Sequence, residues 1–152
     1  MNHYTELLTY LRQLALSDEL VNKVTQGYFE DMDLDKMGFY PLVHIQINEA
    51  SFSNGSTVSF SIQIGAMGLR DIVKTDEDKY LGDSNEVDNY NEMLAILNRM
   101  WNKMYVDFDS EDIQASENPS LTKVTYDYGK GVDGWIISFD VEMPNTTIRL
   151  CQ

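Results

Sequence analysis

The chain is poor in several things at once, and each shortage closes a class of function. Its one cysteine, Cys151, stands beside the last of 152 residues. No disulfide forms within the chain, which fits a reducing compartment. The two histidines, His3 and His44, are far apart, and neither has a cysteine or serine placed beside it as a nucleophile. A zinc site would also need more ligands of that kind. Eleven basic residues face twenty-five acidic ones, a formal charge of −14. That balance argues against stable binding to bare phosphate backbone, which depends on Lys and Arg neutralising phosphates. The opening residues, Met1 to Glu6, are polar and lack the basic-then-apolar order of a signal peptide. No stretch approaches the length of a membrane span.

What is present is ordinary globular material. Hydrophobic residues make up 43% of the chain, so disorder is not expected, and the length suits a single domain over residues 1–152. Tyr4, Leu7, Leu8, Leu11, Leu14 and Ala15 form one apolar stripe at helical spacing. Leu20, Val21 and Val24 resume it after Ser17 and Asp18, which together offer an N-cap. The pattern predicts helix from about Asn2 to Gln26, as one bent helix or two, ended by Gly27. An acidic linker with Met and aromatic residues runs from Tyr28 to Tyr40, and Pro41 leads into a strand.

Val43, Ile45 and Ile47 alternate with His44, Gln46 and Asn48, predicting a strand over Leu42–Ala50 with His44 on its polar face. Asn54 and Gly55 suit a tight hairpin turn, and a second alternating run predicts a strand over Thr57–Met67. After a charged connection, Asp83 and Glu86 have the spacing of a capping box. Val87, Tyr90, Met93, Leu94, Leu97, Met100, Trp101 and Met104 then predict a helix over 85–104, with Arg99 and Lys103 suiting its C-terminal end. Strands are expected at Leu121–Tyr128 and Trp135–Met143, joined by a loop through residues 129–134. The expected fold class is therefore α+β. It is a two-layer sandwich in the order α-β-β-α-β-β, with two helices covering one face of a four-stranded, mainly antiparallel sheet. The other face and at least one edge stay open, as suits an oligomer.

No catalytic constellation stands out, so an enzyme is not expected and no cofactor is called for. Asp31, Asp33 and Asp35 invite a calcium reading, but Lys36 and Leu42 stand where a calcium loop needs its turn glycine and bidentate glutamate. Gly65 to Gly68 and the glycines at 129 and 131 lack the strand-to-helix context of a phosphate loop. Phe29, Met32, Met37 and Phe39 are candidate partner contacts, the alternative being that they fold back on the core.

The order of elements over the whole chain resembles the tail terminator and tail-completion proteins of tailed bacteriophages. So do the segments Asp33-Leu34-Asp35-Lys36, Tyr40-Pro41-Leu42-Val43-His44-Ile45, Asn89-Tyr90-Asn91 and Pro144-Asn145-Thr146. The resemblance implies a structural protein of the virion, assembled in the host cytoplasm, at the junction of head and tail. It implies a homo-oligomeric ring, six-fold in the commonest arrangement, between the tail tube protein and the neck, connector or portal proteins. DNA would pass through the lumen without specific binding, and an acidic lumen would repel its phosphates. Asp76, Glu77, Asp78, Asp83, Asp107, Asp109, Glu111 and Asp112 are then the candidate lumen or neighbour contacts. Two rivals stand beside this reading. One is an acidic DNA mimic that inhibits a host DNA-binding enzyme; the other is an enzyme or small-molecule carrier with a pocket between helices and sheet.

Overall fold

The computed structural model describes residues 4–31, 40–53, 56–70, 86–128 and 130–145. Helix α1 (Tyr4–Leu16) is followed by strand β1 (Lys23–Gln26), a short 3-10 turn (Phe29–Asp31) and the strands β2 (Leu42–Ser53) and β3 (Thr57–Leu69). Helix α2 (Glu86–Asp109) then precedes β4 (Gln114–Ala115), β5 (Ser120–Tyr128) and β6 (Lys130–Pro144). The class is α+β, as expected. The sheet, however, has six strands and is mixed, because β1 runs parallel to β2 while the other pairings are antiparallel.

Both long hairpins form. β2 pairs with β3 from Leu42↔Met67 to Ser53↔Thr57, with a bulge between Ile47 and Glu49. The dipeptide Asn54-Gly55 lies outside the described residues. β5 pairs with β6 from Ser120↔Ser138 to Tyr128↔Lys130. The loop expected through 129–134 is therefore mostly strand, and its glycines at 131 and 134 sit in the ladder. In the centre β3 pairs with β6 along thirteen residues, Thr57↔Pro144 to Leu69↔Val132.

The first helix is shorter than its stripe suggests. At Leu16 the backbone turns: the Ser17 hydroxyl donates to Leu14 O, and Asp18 Oδ1 accepts from the Leu20 amide. Ser and Asp offer local bonds that compete with helix continuation. The β-branched Val24 and Thr25 then join the sheet instead. Asp18 thus starts no second helix. It pairs with Arg99 of α2 at 2.7 Å, and burial of its carboxyl is outweighed by that guanidinium, so its pKa is lowered. Because α2 runs on to Asp109, Arg99 and Lys103 lie well inside the helix, not at its end.

The helices cover one side of the sheet. Leu7, Leu11 and Leu14 of α1 and Met93, Leu97, Met100, Met104 and Phe108 of α2 meet Ile45, Ile62, Ile64, Phe139 and Val141 in one core. The other side is not simply wet. Its half near the start of β2 is apolar, with Leu42, Met67 and Val132 buried. Here the segment after β1 folds across the sheet. Gly27, at φ 128, takes a backbone conformation that suits glycine, and Phe29 lies edge-on to His44 with ring centroids 4.6 Å apart. Gly65 makes room for that ring, since a Cβ there would stand 2.8 Å from Phe29.

His44 occupies the sheet side that alternation predicts, yet it is only 2% exposed. Its Nε2 bonds to Gly27 O at 2.9 Å and its Nδ1 to Thr25 Oγ1 at 2.7 Å. A carbonyl cannot donate, so Nε2 carries the proton and the Thr25 hydroxyl donates to Nδ1. Burial lowers the His44 pKa from its ordinary 6.5, with the Gly27 carbonyl opposing. A lowered folded value means that the unfolded chain takes up the proton first, so His44 withdraws stability as pH falls below 6.5. The urea midpoint of the wild type should therefore drop between pH 7.5 and 5.5 by more than that of His44→Gln, measured by far-UV circular dichroism.

Candidate functional site

The strand register gathers carboxylates that the sequence scatters. β2 ends, β3 begins and β6 ends at one pole of the molecule, and β4 pairs there with Glu142 and Val141. The outer sheet face at this pole is polar. Glu49 pairs across from Ser61, and Ser61 from Asp140, which places both acids on that face beside Glu142. Together with Ser51, Ser59 and Ser116 they line a shallow depression of about 440 Å³. The Ser61 hydroxyl donates to Asp140 Oδ1 at 2.7 Å. Ser116 fixes the neighbouring backbone, its hydroxyl accepting from Asp140 N at 2.8 Å and donating to Asp140 O at 3.1 Å.

The end of α2 reaches the same pole. Ile113 N donates to Phe108 O, and Asp112 between them has φ 56, so the helix stops in a Schellman-type turn. Asp is one of the few non-glycine residues that tolerate that conformation. Asp109, Glu111 and Asp112 are exposed to solvent. Asp107 is different: it accepts the Tyr10 hydroxyl at 2.7 Å and so ties α1 to α2. Burial first, and that bond second, push the Tyr10 pKa above its usual value. Of the eight candidate contacts, then, Asp109, Glu111 and Asp112 are surface acids, and Asp107 is part of the helix–helix junction. Asp76, Glu77, Asp78 and Asp83 lie outside the described residues.

Among the partner-contact candidates, Phe29 is half-buried over His44 and Gly65 and serves the outer apolar half of the sheet. Met32, Met37 and Phe39 lie outside the described residues. Sequence reasoning missed Glu49, Asp140 and Glu142 as members of the acidic pole. Asp140 and Glu142 alternate with Phe139, Val141 and Met143, so their outward parity could have found them. Glu49 has the inward parity of Val43, Ile45 and Ile47 in the sequence, and only the bulge after Ile47 turns it outward.

The opposite pole carries a buried ion pair that no motif announces. Asp133 is fully buried and accepts from Arg70 Nη2 at 2.6 Å and Arg70 Nε at 3.0 Å. Thr125 Oγ1 donates at 2.9 Å and Tyr90 OH at 3.3 Å. Burial raises its pKa, but Arg70 and Thr125 more than offset this, and the carboxyl stays below its usual 3.8. Trp135 Nε1 donates to Tyr90 O at 3.0 Å, and Asn89 Nδ2 to Leu69 O at 3.0 Å. The start of α2 is thereby bolted to the end of β3 and the first part of β6. Such a knot holds elements in place, and among the described residues no buried side-chain polar atom lacks a hydrogen-bond partner.

Among the described residues no group of His, Cys, Asp and Glu could hold a metal ion, and no helix is long and apolar enough to cross a membrane. A third surface feature is apolar. A groove of about 440 Å³ lies between α2 and the start of β5, floored by Leu94, Ala95, Trp101, Pro119, Leu121 and Ile137. No protein-family model matches the chain, and no curated protein matches its sequence.

Two outcomes follow for stability. Arg70→Met leaves Asp133 charged and unpaired in the interior, and should cost about 3–5 kcal/mol in urea unfolding at pH 7. Asp112→Asn should leave the unfolding midpoint nearly unchanged, because Asn also tolerates the left-handed turn. Asp112→Val should lose about 1–2 kcal/mol at the same position.

Proposed function

We propose that this chain is a non-enzymatic structural protein of a tailed-phage virion. It forms a homo-oligomeric ring at the head–tail junction, where it ends or completes the tail and joins it to the neck or portal. The observation that carries this reading is the acidic pole. Glu49, Asp107, Asp109, Glu111, Asp112, Asp140 and Glu142 come together from three separate stretches of sequence. No lysine or arginine interrupts the segment from Val106 to Thr122. A concentrated field of one sign repels a polyanion and attracts no phosphate contact, which is what a passage for DNA requires.

The sheet supports the same reading. Its helices lie on one side only, and its outer strands have no partner beyond them among the described residues. Such surfaces are liabilities in a monomer and natural contacts between copies. The depressions on the surface are shallow, and the two buried polar clusters hold their own elements together instead of converging on a cavity. The DNA-mimic alternative needs carboxylates strung at phosphate-like intervals along an element. Here they gather on turns and strand ends at one pole.

Electron microscopy of the purified protein, alone and mixed with tail tubes, tests the proposal. Rings with a central lumen that cap one end of a tube are the expected result. A chain that stays monomeric and never sits on a tube or connector overturns it.

A further inference from the structure

The two edges of the sheet differ, and the difference suggests how copies join. β1 covers β2 only from Leu42 to Ile45, so the stretch of β2 from Gln46 to Ser53 has no strand on its outer side among the described residues. At the opposite edge, β5 pairs inward with β6 over Ser120–Tyr128, and again no described strand lies outside it. One open edge is eight residues long and the other nine. Neither contains a proline. The single lysine of β5, Lys123, is exposed, and its Nζ lies 4.1 Å over the Tyr90 ring on the helix side.

We infer that these two edges pair with each other between neighbouring copies of this chain, with Phe52 of one copy seated in the groove beside Leu121 of the next. This inference rests on the ring reading and names its contact. Direction favours it. β2, β3, β6 and β5 alternate in sense, so β5 runs opposite to β2, and copies in the same orientation meet as an antiparallel pair.

Faces favour it too. Ala50 and Phe52 lie opposite Phe60 and Val58 on the helix side of the sheet. Leu121 and Lys123 lie opposite Ile137 and Trp135 on that same side. Setting Phe52 against Leu121 pairs Ser51 with Thr122, Ala50 with Lys123 and Glu49 with Val124. Every pair then shares a face, and Glu49 meets no carboxylate. Phe52 is 67% exposed in the single chain and Leu121 44% exposed, and each has an apolar neighbour to gain. Leu94 and Trp101 already wall the groove on the helix side.

The contact joins different surfaces, so it propagates head to tail; such contacts form a ring when the rotation between copies closes and an open filament when it does not. The contact also staggers each copy along the strands by about six ladder positions, roughly 20 Å, and a closed sheet requires such a shear. The acidic pole lies beside the open part of β2, so the carboxylates of successive copies follow the seam around the ring.

The test uses full-length chains in which Cys151→Ser removes the native thiol. Ser51→Cys is made in one preparation and Thr122→Cys in another. Under mild oxidation, the mixture should give a covalent dimer that neither preparation gives alone. Phe52→Asp, an exposed position that leaves the fold intact by circular dichroism, should weaken association roughly tenfold or more in sedimentation velocity. If the chain assembles but neither effect appears, this interface is wrong while the ring reading stands. If the wild type is monomeric at every concentration and never sits on a tube or connector, both fail. A monomer whose binding to tail tubes is lost with Phe52→Asp also overturns the inference, and makes a tube strand the occupant.

Discussion

The structure depends on one-sided burial. Met93, Leu97, Met100, Met104 and Phe108 press α2 onto β3 and β6, and α1 packs beside it on the same face of the sheet. Each such side chain contributes about 1.5–3 kcal/mol when fully buried, against a net stability that is small for any domain. With both helices committed to one face, the other face has to be finished by something else. The chain finishes half of it itself, by folding Phe29 over His44 and Gly65. The remaining half stays polar and acidic, and the edges stay open.

The two poles of the sheet solve opposite electrostatic problems. At one, Asp133 is removed from water and surrounded by donors from Arg70, Thr125 and Tyr90, so its charge is matched locally. Such a pair adds little net stability over an apolar substitute, but breaking one side is costly, and it keeps three elements in register. At the other pole most of the carboxylates face solvent, with Asp107 accepting from Tyr10 and Asp140 from Ser61. Their mutual repulsion is screened within about 8 Å at physiological ionic strength. They can therefore crowd one end of a domain without unfolding it and still present a negative surface to a large polyanion.

The long alternating strands were legible because β3, β6 and the first half of β2 show one apolar parity over many residues, and β5 because it is rich in β-branched and aromatic residues. The stripe of α2 was legible from its apolar spacing. The rest required tertiary knowledge. Leu20, Val21 and Val24 continue a helical spacing, so nothing in their pattern reveals that Ser17 and Asp18 turn the chain by bonding to nearby backbone. β1, four residues long, is too short to show a period. His44 has the parity of a surface residue and is buried only because a segment seventeen residues away crosses it. Arg70 and Asp133 are sixty-three residues apart, and no local rule links them. The candidate site was half legible: the run from Asp107 to Asp112 is plain as a block, whereas Glu49, Asp140 and Glu142 join it only once the register is known.

The central claim is that a sheet sealed by helices on one side is completed at its edges by copies of itself. Hydrogen exchange of the backbone amides of β5 and of residues 46–53, followed across a dilution series, tests it most directly. The account predicts slow exchange at both edges at high concentration and fast exchange on dilution, while the central β3–β6 ladder stays protected throughout. Edge amides that exchange at one rate regardless of concentration would contradict it.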